Sequence, residues 1–170
     1  MAVRLGIRTK QLLVSIHVIA VALWFGGTMG MFLLGLYAKN AENGAQLYYT
    51  LASMHVIDES MLKYPALATL ITGVMLSVWT HWGLFKHYWV VIKFVLTIGT
   101  ILLGIFFLQD WFSFLLTTAE QLGFSAIQRE DFQNTWLSMI VTGSFNLLCL
   151  ILMTFVTYMK PFGKIKKRES

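Results

Sequence analysis

Charge is what this sequence has least of. Asp, Glu, Lys and Arg make up 12% of its 170 residues and hydrophobic residues 57%, whereas a soluble globular domain carries about 25% charged residues. That balance, with a mean hydropathy of +0.68, excludes an ordinary soluble domain and points to an integral membrane protein. The one cysteine, Cys149, excludes an intrachain disulfide, a paired-thiol redox motif and a zinc-finger pattern, and suits a small packing residue. No internal repeat, low-complexity tract or proline-rich linker divides the chain, so residues 1–170 read as a single transmembrane domain. Asp and Glu are missing from every long apolar stretch, which leaves neither an acid–base dyad nor an activated nucleophile there. Any chemistry within the apolar layer therefore falls to a cofactor.

What is present is apolar length. Gln11 to Ala38, Tyr64 to Phe85, His87 to Gln109 and Phe132 to Met159 are free of charge or nearly so, and each exceeds the roughly 20 residues a helix needs to cross the hydrocarbon. Lipid offers no partner to open backbone groups, and the runs are too long and uniform for barrel strands, so they should be helices. The expectation is an all-α, four-helix transmembrane bundle with helices at about 11–37, 60–82, 87–110 and 132–159. Loops 38–59 and 111–131 would lie on the outer side. Helix two has the makings of an earlier start, because His55, Asp58 and Glu59 are spaced as on a helix and Glu59 and Lys63 form an i,i+4 pair. Pro65 should start or kink its buried part. The stretch from Asp110 to Asp131 suits an amphipathic segment on the outer surface.

Basic residues cluster at Arg4, Arg8 and Lys10, at Lys86, and at Lys160, Lys164, Lys166, Lys167 and Arg168. The positive-inside rule then places both termini and the middle turn in the cytoplasm. The basic tail is read as an orientation signal against anionic lipid, and no aromatic or fold signature of nucleic-acid binding accompanies it. The first apolar window is longer than the roughly 7–15 residues of a signal-peptide core, so it is expected to be kept as helix one.

Two ionisable residues break the apolar pattern. Lys93 lies inside the third window, and His17 lies at matching depth in the first, each about two turns in from the cytoplasmic surface at ~1.5 Å per residue. A lysine at a helix centre costs on the order of 3 kcal/mol on insertion scales, and no Asp or Glu at that depth can neutralise it. Helical spacing puts Trp24 on the His17 face and Thr97, Thr100 and Gly104 on the Lys93 face. Small and hydroxyl residues on such stripes, including the Gly26/Gly30 pair, also serve plain helix contact. A haem answers the charge requirement physically: a neutral imidazole at His17 can bind its iron, Lys93 can pair with a propionate, and Trp24 can form part of a flat apolar wall. The plainer alternative is that Lys93 snorkels to the interface and His17 bonds a threonine or a carbonyl. His81 and His87, in the cytoplasmic turn, read as interfacial histidines.

The runs His17-Val-Ile-Ala-Val-Ala-Leu-Trp24-Phe-Gly26-Gly27 and Trp89-Val-Val-Ile-Lys93-Phe-Val-Leu, with Thr72-Gly73 between them, resemble a superfamily of small bacterial membrane proteins. It includes copper-resistance protein D domains and the membrane-bound protoporphyrinogen oxidases. The resemblance implies the bacterial cytoplasmic membrane as location. From the oxidase branch it implies haem b, with His17 and Lys93 at the positions of that branch's helix-one histidine and helix-three lysine. The branch's arginine late in helix one has no counterpart in Gly35-Leu-Tyr37-Ala-Lys39, which argues against the oxidase activity itself. From the other branch it implies copper handling, for which Met54, His55 and Glu59 would form an outer metal site. The leading expectation is a haem b protein of redox or electron-transfer class, using His17, Lys93, Trp24 and Thr97. Its partners would be the bilayer, a quinone or another membrane redox protein, and a second copy of the chain. A copper or small-solute carrier and an assembly partner of a larger complex are the other two readings.

Overall fold

The computed structural model describes residues 6–80 and 82–165, so Arg4, His81, Lys166, Lys167 and Arg168 lie outside the described residues. Four helices are long and apolar enough to cross a membrane: α1 (Ile7–Ala38), α2 (Gly44–Trp79), α3 (Tyr88–Gln128) and α4 (Glu130–Met159). They form a ring in which each touches its neighbours in sequence and α4 closes onto α1. No Cα of α1 comes within 8 Å of α3, nor any of α2 within 8 Å of α4 except through neighbours, so the two pairs are diagonal across a lumen. The start of α1, the α2–α3 turn and the end of α4 share one end, called here the terminal end. There Ile165 N–H donates to the Lys86 carbonyl at 3.0 Å and Lys160 lies over the Trp82 ring. Every described Asp and Glu lies toward the opposite, loop end.

At 36 and 41 residues, α2 and α3 run to about 54 and 62 Å at ~1.5 Å per residue, well beyond a hydrocarbon core of roughly 30 Å. The expected outer loops are therefore mostly helix. Residues 44–59 begin α2, and residues 111–122 continue α3 and pack on α2 instead of lying flat on a surface. The physical reason is an apolar stripe on each overhang. Leu47, Leu51 and Met54 of α2 meet Phe112, Leu115 and Ala119 of α3, with Phe132 and Met139 of α4 beside them, and burying that stripe stabilises helix beyond the lipid. Asn43 starts α2 by accepting the Gln46 N–H at 2.9 Å, while the Gln46 side chain accepts from Glu42 N–H at 2.8 Å, a close relative of the capping box.

Below this cap the outward residues change character: Val18, Ile19, Val95, Leu148 and Phe155 are each more than half exposed, as lipid-facing residues are. Leu115 is 0% exposed, so Leu115→Ala is expected to cost about 2–5 kcal/mol in SDS-induced unfolding from mixed micelles. Val95→Ala should stay within about 0.5 kcal/mol. Equal effects would contradict the division between a packed cap and a lipid-facing bundle.

Two stretches leave the α pattern for π-helix: Asp58–Lys63 in α2 and Gly104–Leu108 in α3. The first precedes Pro65, which cannot donate to the carbonyl four residues back and crowds it, so the expected interruption takes the form of a π-stretch. Among the glycines of α1 that meet α2, Gly27 makes the closest approach. A Cβ there would sit 2.6 Å from Leu62 and 2.7 Å from Met61, whereas at Gly26 and Gly30 it would meet only ordinary contacts at 3.8 and 3.5 Å. The α1–α2 approach thus depends on Gly27 more than on the Gly26/Gly30 pair.

Candidate cofactor site in the bundle lumen

Three threonines in the apolar layer bond their own helices. Thr72 Oγ1–H donates to the Ala68 carbonyl at 2.6 Å, Thr157 Oγ1–H to Met153 at 2.7 Å and Thr28 Oγ1–H to Trp24 at 2.9 Å. With the proton used on its own helix, each hydroxyl presents only an acceptor oxygen to the lumen.

His17 uses the first of these. Its Nδ1 lies 2.8 Å from Thr72 Oγ1, whose proton goes to the Ala68 carbonyl, so the Nδ1–H tautomer completes the pair; the Thr69 backbone carbonyl also accepts from the ring. The neutral ring then has its lone pair on Nε2, to which no described side chain donates. Gly73, next to Thr72, leaves room for the ring: a Cβ there would come 3.4 Å from His17 Cε1.

Lys93 uses the second. Its ammonium donates to Thr157 Oγ1 at 2.9 Å, one neutral acceptor for a group with three donors. The ion pairs among the described residues, Lys63–Glu59 and Arg129–Asp131, are both at the loop end. Lys93 is within electrostatic reach of His17, although the two stand on diagonal helices. The structure thus brings His17 from α1, Thr72 and Gly73 from α2, Lys93 from α3 and Thr157 from α4 to one level of the lumen.

The other expected residues take different places. Thr97 is buried and donates to Met153 Sδ at 3.3 Å, tying α3 to α4 one turn above Lys93. Trp24 packs with Ala66, Leu150 and Met153 and so closes the lumen above the His17 level. His87 is held in the turn, its Nδ1–H donating to the Trp82 carbonyl at 2.7 Å and its ring against Trp82 and Trp89. The three outer residues do not converge. Met54 turns into the cap core at 1% exposed, His55 stacks on Phe112 and Glu59 is paired with Lys63 at 2.6 Å. No group of three His, Cys, Asp or Glu that could hold a metal ion occurs among the described residues. The partners Thr72 and Thr157 had weaker signals in the sequence: Thr72 sits beside Gly73, and Thr157 lies four residues past Met153 on the inward stripe.

Fold and site together give a bundle of four helices long and apolar enough to cross a membrane, with an imidazole on α1 bonded to Thr72 of α2 and a cation on α3 bonded to Thr157 of α4. No protein-family model, curated protein or solved structure matches this chain.

Proposed function

We propose that the protein is a multi-pass plasma-membrane protein of the bacterial type that holds haem b in its lumen, with His17 as axial ligand through Nε2 and Lys93 as partner of a propionate. One observation carries this reading: the Thr72 hydroxyl fixes the His17 tautomer. A metal-ligating histidine almost always donates its other ring N–H to a fixed acceptor, which orients the ring and raises its basicity. The donor set suits the group, because it combines an imidazole nitrogen that has no side-chain hydrogen-bond partner with a cation whose described partner is a single neutral hydroxyl. Helices α1 and α3, which would flank the haem, do not touch each other. Bound haem b supplies one-electron redox chemistry, and redox or electron transfer is the class of function proposed.

Arg8, Lys10, Lys86, Lys160 and Lys164 at the terminal end, against mixed charges at the loop end, support a topology with both termini in the cytoplasm. For the copper reading, Met54 lies in the cap core, His55 stacks on Phe112 and Glu59 is paired with Lys63.

Thr72→Val tests the tautomer argument, since it keeps the shape and removes the acceptor. Haem retention by the purified variant is expected to weaken by about 10–100-fold while the unfolding midpoint changes little. Unchanged retention would remove the observation on which the reading stands.

A further inference from the structure

A second feature lies nearer the loop end, above Trp24. A cavity of about 280 Å³ opens between the helices, roughly nine water volumes at ~30 Å³ each, enough for one substituted ring. Both π-helical stretches border it, through Asp58, Leu62 and Lys63 on α2 and Gly104, Ile105 and Leu108 on α3. Such departures from α geometry occur frequently at functional sites. A Cβ built at Gly104 or at Gly143, both lining residues, would meet no atom within 4 Å.

The walls are mainly apolar, with Thr28, Thr100 and Asn146 as polar residues in the interior. Asn146 Oδ1 is buried and has no hydrogen-bond partner, an arrangement that proteins rarely leave uncompensated. Thr28 donates to Trp24 and Thr100 to Leu96, so neither hydroxyl serves Asn146, and no described group donates to its Oδ1. A donor for Asn146 would therefore come with a ligand.

We propose that this cavity binds a membrane-dissolved molecule with an aromatic hydroxyl head group, of the hydroquinone class, whose O–H donates to Asn146 Oδ1. The aromatic side chains of Trp24, Phe32 and Phe112 in the wall suit a flat ring. Entry is from lipid, since Leu67 on α2 and Ile105 on α3 both line the cavity and are 52% and 54% exposed, which sets its mouth on the α2–α3 flank. The asparagine amide also has N–H donors for the carbonyl of an oxidised ring. This site does not rest on the haem reading.

The test is a titration of the detergent-purified chain with a decyl-substituted benzoquinol, read as the shift in unfolding temperature, beside decylbenzene, which has the tail and ring without the hydroxyls. Wild type and His17→Ala are expected to give the same saturable rise with the benzoquinol and none with decylbenzene. Asn146→Leu should bind about tenfold more weakly, the loss of one hydrogen bond. Gly143→Ile, whose side chain fills the void, should bind none. Either variant binding like wild type, or decylbenzene giving the same saturable rise, would overturn the proposal, the last by showing a cavity filled by any hydrocarbon chain.

Discussion

His17→Ala is expected to leave the purified protein folded and without haem. The ring is bonded to Thr72 and to the Thr69 backbone and is only part-buried, so its loss removes little packing, and the core cluster around Trp24 lies about two turns away. Ligation is different, because no other described histidine faces this level: His55 is stacked on Phe112 in the cap and His87 is bound to the Trp82 carbonyl in the turn. The variant should therefore lose the Soret absorbance of the wild type while its far-UV circular dichroism and elution volume are kept. Exogenous imidazole should restore part of the absorbance by entering the space the side chain leaves. A variant that keeps its haem would show that His17 is not the ligand.

Lys93→Met separates two explanations of the buried charge. If the lysine is there for an anionic group, the protein without that group carries an unrewarded cost, because Thr157 meets only one of three ammonium donors. Methionine fills similar volume without charge, so the haem-free variant should be more stable than haem-free wild type by up to about 3 kcal/mol, the cost of a lysine at mid-helix on insertion scales. Its haem retention should fall at the same time. Greater stability with weaker cofactor binding is the signature of a functional charge. The opposite pattern, an unstable Lys93→Met that binds haem normally, would assign Lys93 to holding α3 against α4.

Much of the bundle was legible from charge alone. Uninterrupted apolar windows have one stable solution in lipid, and the four helices long and apolar enough to cross a membrane fall where those windows do. The overhangs were harder to read. Leu47, Leu51 and Met54 are spaced as an amphipathic helix would space them, but whether such a stripe lies on a membrane surface or packs on another helix depends on the partner. Here that partner is Phe112 and Leu115, more than fifty residues along the chain. The matched depth of His17 and Lys93 was visible in the sequence, because depth in a membrane helix follows from counting residues. The roles of Thr72 and Thr157 were not, since a threonine that has spent its proton on its own helix has the same letter in the sequence as one that has not. The cavity was least visible, because it arises where two helices change pitch, and Pro65 marks only one of those changes.

The measurement that bears most directly on the central claim is the absorption spectrum of the detergent-purified wild-type protein, oxidised and then dithionite-reduced, with haem titrated in if little is retained. Saturation at one haem per chain, with a Soret band that shifts on reduction, is the predicted result. No Soret band shift after haem addition, in a protein whose circular dichroism shows the helices intact, would contradict it.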